Sequence, residues 1–151
     1  MPSIKVTPTK GLFQAKGTST IPNGSLSGAK RVVLGKTASY TVQEADNGKI
    51  IALSGGAVDA VILPSPVDCP GWHFSVVSAS AGHAHVIKEA SAGADLISLM
   101  SQVATGNVNT RAHAVTSLTL SAGVIGDRFE IYSDGAFWIV KSSTNATVTA
   151  A

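Results

Sequence analysis

The chain has 151 residues, 44% of them hydrophobic and only 13% charged, with a formal net charge of +2. That length is one domain with a real core, and the charged fraction is about half the usual ~25%, with Ser, Thr, Ala and Gly in its place. A single cysteine, Cys69, excludes an intrachain disulfide and a cysteine zinc site. No opening segment reads as a signal peptide, and no apolar run approaches the ~18 residues of a membrane span, so neither that secretion route nor a membrane partner is expected. A surface so poor in charge fits an assembly subunit and a merely Ser/Thr-rich β protein equally well.

The net charge conceals an asymmetry. Residues 1–36 carry Lys5, Lys10, Lys16, Lys30, Arg31 and Lys36 and no acid, a sum of +6, whereas from residue 37 five basic residues meet all nine acids, a sum of −4. This is a basic arm on an acidic body. Residues 1–29 contain Pro2, Pro8 and Pro22, four glycines and few apolar anchors, which cannot build a core. An extended arm is expected over 1–29 and a β body over 30–151, with Lys5, Lys10, Leu12, Phe13 and Lys16 as the arm's contact residues. Six charges spread over this length with one aromatic make a weak nucleic-acid footprint, so nucleic acid is not the expected partner. A clamp laid over an acidic protein surface suits such a segment better.

From Lys30 the pattern turns strand-like. Short β runs are predicted at Arg31–Leu34, Ser39–Val42, Lys49–Ser54, Ala57–Leu63, Trp72–Ser78, His85–Glu89, Leu96–Val103, Ala114–Leu120 and Thr147–Thr149, separated by Asn47-Gly48, Gly55-Gly56, Pro64, Pro66 and Pro70-Gly71. Thr105–Arg111 reads as a loop. No window keeps a helical period between caps. About ten short strands indicate an all-β domain, a β-sandwich or jelly-roll-like small barrel whose connectivity periodicity does not reveal.

The densest pattern is Gly126 to Val140. Asp134-Gly135 predicts a two-residue type I′ hairpin turn, which pairs Tyr132 with Phe137, Ile131 with Trp138 and Phe129 with Val140. Alternation puts Phe129, Ile131, Trp138 and Val140 on a core face. The opposite face, with Tyr132, Phe137 and Ile139, is too apolar to lie open to water. Those three residues are the candidate interface with a second sheet or another copy of the chain.

Motif searches for a nucleophile elbow, a phosphate loop or a zinc-binding His-Glu-x-x-His are empty, so neither an enzyme nor a cofactor is expected. His83 and His85 share one strand face and could meet a metal, but they are only two ligands with no carboxylate placed beside them. A solvated polar turn entering a strand is the plainer reading, and no metal is assigned. A Ser-His-Asp set in so Ser-rich a chain carries no weight without geometry.

Thr37–Val42, Asn47–Leu53, Val61–Pro64, Pro70–Phe74 and Gly126–Val140 together resemble a pattern in small virion proteins of tailed bacteriophages. It has a leucine-proline, glycine, aromatic step before a central strand and a closing Gly-Asp, Asp-Gly, Trp hairpin. The resemblance is to capsid decoration (cement) proteins and, less closely, to tail-fibre and head-fibre domains. It implies a β-rich homotrimer on the outer capsid surface, stabilising the head, with N-terminal segments reaching over the major capsid protein. The trimer follows from the resemblance alone. The other reading is a fibre or adaptor domain that binds a host glycan or a tail protein.

Overall fold

The computed structural model describes residues 4–7, 11–14, 31–56, 59–91, 96–103 and 109–151, and only the backbone of 4–7, 11–14, 101–103 and 109–111. Strands β1 (Ile4–Thr7) and β2 (Gly11–Gln14) pair antiparallel as a separate ribbon. Of the arm's contact residues, Lys10 and Lys16 lie outside the described residues, as do the side chains of Lys5, Leu12 and Phe13.

Among the described residues the body is all-β, built from twelve strands in two sheets. Strands β3 (Val33–Lys36), β4 (Tyr40–Thr41), β5 (Ile50–Leu53), β6 (Asp59–Leu63), β7 (His73–Ser78) and β8 (His83–Glu89) alternate between the sheets, odd numbers in one and even in the other. Within each sheet these neighbours run parallel. The chain thus makes three successive passes, each leaving one strand in each sheet.

The remaining strands are β9 (Ile97–Val103), β10 (Asn109–Val115), β11 (Ser117–Gly123), β12 (Arg128–Ser133), β13 (Trp138–Thr144) and β14 (Val148–Ala150). They complete a seven-stranded sheet, β10-β9-β13-β12-β7-β5-β3, and a five-stranded sheet, β14-β11-β8-β6-β4. Both sheets keep two edges, so the fold is a sandwich. Its passes recur at unequal spacings, 17 residues from Val33 to Ile50, 25 from Ile50 to Ser75, 21 from Tyr40 to Val61 and 26 from Asp59 to His85. An unequal spacing leaves no fixed sequence period to detect.

Alternation along each strand supplies the core. Ile51, Leu53, Phe74, Val76, Phe129, Ile131, Trp138 and Val140 from the large sheet meet Val61, Leu63, Ile87, Leu118 and Leu120 from the small one. Trp138 is fully buried; it meets Phe74 edge-on, with centroids 5.9 Å apart at 68°, and its indole N–H donates to Pro64 O at 2.8 Å. That satisfied N–H is what allows so large a ring inside.

Three sequence expectations change. The β12–β13 hairpin has the predicted core face but not the predicted turn: Ser133 pairs with Trp138, Tyr132 with Ile139 and Ile131 with Val140, leaving a four-residue loop Asp134–Phe137. Asp134 does not take a turn position for its backbone alone. Its Oδ1 accepts the N–H groups of Ala136 and Phe137, at 2.8 and 2.7 Å, while Gly135 takes the left-handed φ of 91°. Those bonds hold the Asp134 carboxyl below the usual range. The pairing moved by two residues, an even step, so every side chain kept its face.

Ala114–Leu120, expected as one strand, is the end of β10 and the start of β11, in opposite sheets. Thr116 turns the corner, its N–H and Oγ1 both donating to Ala151 O at 2.8 and 3.0 Å. Ala, Val and Thr suit either side of such a corner, so composition did not mark it. The predicted loop Thr105–Arg111 also yields residues 109–111 to β10; residues 105–108 lie outside the described residues.

Candidate functional site

The same alternation that buries leucines also buries acids. Asp59 shares its face with Val61 and Leu63, and Glu89 shares its face with His85 and Ile87. With Asp46 and Asp127, these are four carboxylates inside the body, so much of its negative sum is not on the surface.

Two of them are fully employed. Asp46 Oδ2 accepts the Tyr40 hydroxyl at 2.7 Å and the Gln43 N–H at 2.9 Å, and Oδ1 meets Lys49 Nζ at 3.3 Å. Burial alone would push this carboxyl up; the hydrogen bonds from Tyr40 and Gln43, with Lys49, outweigh it and hold it below its usual value. Tyr40 is pushed up to about 12 by burial and by that same carboxylate. Asp127 Oδ2 accepts the Val124 N–H at 2.9 Å and Oδ1 the Asn145 N–H at 2.7 Å, tying the turn before β12 to the turn after β13.

Asp59 is different. It lies in β6 directly across from His85 in β8, both 2% exposed, and neither Asp59 Oδ2 nor His85 Nδ1 has a hydrogen-bond partner. On the other side of the ring, His85 Nε2 is 3.0 Å from Ser78 Oγ, itself in a residue 3% exposed. Glycines make the room. A Cβ on Gly55 would sit 2.0 Å from Asp59 Oδ2, and one on Gly123 3.1 Å from Ser78 Oγ and 3.2 Å from His85 Cδ2. A bulge in β11, between Leu120 and Gly123 with Ala122 at a φ of 59°, brings Gly123 to that place.

These residues are a Ser-His-Asp set, and their chemistry can be worked out from the protons. Ser78 Oγ donates its only proton to Ser80 O, at 2.7 Å. The contact with His85 must therefore run from Nε2–H to Oγ, which leaves Nδ1 as a bare lone pair. A hydrolytic triad needs the opposite order, serine giving its proton to the imidazole, and an open path to the hydroxyl. Here the hydroxyl is closed in and committed to a carbonyl, so the arrangement is a joint and not a nucleophile.

Burial holds His85 below the ordinary histidine range, aided by His83 and opposed by the Asp59 and Asp127 carboxylates. His83, the other candidate metal residue, is half-buried on the same strand. Among the described residues no three His, Cys, Asp or Glu side chains gather to hold a metal. The sequence reading missed Ser78, Asp59, Gly55 and Gly123. A signal existed: Asp59 and Ser78 each fall at the inward parity of an apolar strand.

The interface candidates lie elsewhere. Tyr132 and Ile139 pair across β12 and β13 on the outer face of the seven-stranded sheet, and Phe137 sits in the adjoining loop against the His113 ring, with centroids 5.0 Å apart. The five-stranded sheet packs on the opposite side, so it does not cover them. On this outer face Val33, Met100 and Tyr132 are exposed, 61%, 48% and 37%. Between them, Arg128 pairs with Glu130, whose Oε2 accepts from Ser75 Oγ at 2.8 Å. A cavity of about 360 Å³ opens on the outer side of the small sheet, lined by Ile62, Lys88, Glu89, Ala90, Thr116 and Ser117.

Set against known proteins, the chain matches no protein-family model and no curated protein.

Proposed function

We propose that the protein is a structural component of a tailed-phage virion: a homotrimeric decoration protein that binds the outside of the capsid and stabilises it. The observation that carries this reading is the outer face of the seven-stranded sheet, where Val33, Met100, Tyr132 and Ile139 are left uncovered by the second sheet. Apolar side chains set around the Arg128–Glu130 pair are what a subunit contact is made of: burial supplies the affinity and the charges its register. The basic residues of 1–36 would then extend the contact over coat subunits, and three copies acting together would hold where one arm would not.

Imaging purified virions tests the location, and sedimentation of the isolated protein tests the assembly state. Density for the chain at the threefold positions of the head and a trimeric mass are expected. Tyr132→Asp should yield a folded monomer, and a variant that remains trimeric would remove this face from the contact.

One feature of the fold favours the fibre or adaptor reading instead. Successive passes that stack parallel strands extend along an axis, and among the described residues β3 and β4 are the edge strands that end that stack. Density in the tail rather than the head, with glycan or tail-protein binding, would select it.

A further inference from the structure

We propose that the outer edge of β3 is a strand-docking site for an extended acidic segment of another polypeptide, which joins the seven-stranded sheet through backbone hydrogen bonds. Such docking needs only the fold and holds whether or not the protein is a virion component.

Among the described residues β3 ends the large sheet, with β5 parallel on one side of it and no strand on the other. Val32 O accepts the Ile50 N–H at 2.9 Å and Lys36 O accepts the Ser54 N–H at 2.8 Å, in a register that sets Val33 against Ile50. In a parallel ladder every second residue bonds to the same neighbour, so Leu34 and Lys36 turn N–H and C=O to β5. Val33 and Gly35 turn theirs the other way, a row of two donors and two acceptors that no described strand takes up.

An edge in this condition is a template for pairing, and proteins blunt such edges with a proline, a bulge or a charge. β3 has no proline and its register to β5 is unbroken. Its one charge, Lys36, is drawn back over the Tyr40 ring, with Nζ 3.5 Å from the centroid. Val32 and Val33 are 47% and 61% exposed and, being consecutive, lie on opposite faces of the strand. Gly35 is not required by its own fold, since a Cβ there would meet nothing within 4 Å. A strand glycine of that kind leaves room for a backbone arriving from outside.

Charge selects the occupant. Arg31 is fixed just before the strand, donating from Nε to Gly48 O at 2.9 Å and from Nη2 to Lys49 O at 3.1 Å. Arg31 and Lys36 thus rest on neutral groups and keep their charge, whereas Lys49 is paired with Asp46. Residues 30–36 carry three cations and no acid. A second copy of β3 would bring the same charges to the edge; an acidic strand neutralises them. Arg31 and Lys36 are separated by about 17 Å of extended chain and, at an odd spacing, belong to opposite faces. A strand with acids at the same spacing and β-branched residues between them meets both cations and covers both valines.

Amide hydrogen exchange on the full chain tests the edge. In the free protein Leu34 and Lys36 should be protected, while Val33 and Gly35 exchange close to their intrinsic rates. A synthetic peptide of about ten residues, with glutamates about five apart and valine and threonine between them, should raise the protection of Val33 and Gly35 about tenfold. The same peptide with lysines for glutamates should not. Val33→Pro removes a donor that β5 does not use, so it should abolish the effect of the glutamate peptide on Gly35 and leave Ile131 and Val140 as protected as before. Should that variant fail to fold, Lys36→Glu should weaken binding of the glutamate peptide about tenfold. Val33 and Gly35 already protected in the free protein would overturn the proposal: protection independent of protein concentration would mean that the chain covers its own edge, and protection rising with concentration that a second copy does. An equal response to the lysine peptide, or an undiminished response in either variant, would overturn it as well.

Discussion

The two ends of the sandwich are built on opposite plans. At the hairpin end, Trp138 and Phe74 fill the gap between the sheets, and the indole N–H is satisfied by Pro64. Ser133 closes a loop there, its Oγ donating to Pro66 O at 3.2 Å and accepting the Gly135 N–H at 3.1 Å, while the buried Glu89 carboxylate keeps one oxygen without a partner. At the other end the space between the sheets holds Ser78, His85 and Asp59, packed under two glycines with two acceptors left over. One end is filled by apolar volume, with the Asp46 and Glu89 carboxylates at its margin. The other is filled by polar side chains, among them a histidine whose charge burial disfavours.

Mutations at the two ends should therefore differ in kind as well as size. The largest effect is expected from Trp138→Ala, a loss of about 3–5 kcal/mol from the cavity left behind, equal at pH 5.5 and 7.5 in denaturant unfolding. A pH-dependent loss there would break the contrast. Gly55→Ala should come next, at about 2–3 kcal/mol, because its Cβ would occupy the place of Asp59 Oδ2. Unfolding in this variant should also gain pH dependence below ~6.5, since the displaced carboxylate no longer opposes the burial that holds His85 low.

Asp127→Asn should cost about 2 kcal/mol, since an amide in place of Oδ2 points a donor at the Val124 N–H. Hydrogen exchange should place that loss in the turns around Val124 and Asn145, leaving the hairpin end protected. Ala122→Gly should be smallest and opposite in sign, a gain of about 0.5 kcal/mol in thermal unfolding, because the bulge beside the cluster holds an alanine at a φ of 59°.

A second pH window belongs to Asp46. Its carboxyl is held below the unfolded value of about 3.9, so its contribution is present above that pH and lost as pH falls through the folded value. The Asp46 window lies well below that of His85, and an acid titration followed by fluorescence and exchange should separate the two.

Local pattern carried the core of this fold a long way. The faces of β12 and β13 were readable from alternation, and an even shift in pairing left them correct although Asp134 bound the loop differently from a two-residue turn. The corner at Thr116 was not readable, because residues that suit a strand also suit the bend between two strands. Asp59 and Ser78 were legible as polar residues at inward positions, yet nothing local says that they meet His85. They come from three strands, and the neighbourhood exists only once β6 and β8 pair and β7 closes over them.

What the sequence determined by itself is therefore the class and the parity: strands, their inward residues, and a body poor in charge. Side-chain alternation is a property of a few consecutive residues, so it survives without knowledge of the rest. Only the tertiary structure decided the parallel winding of the first six body strands, the placing of Tyr132 and Ile139 on the face turned away from the second sheet, and the meeting of Ser78, His85 and Asp59. Each of these depends on contacts between residues far apart in the chain, and no local period encodes such a contact.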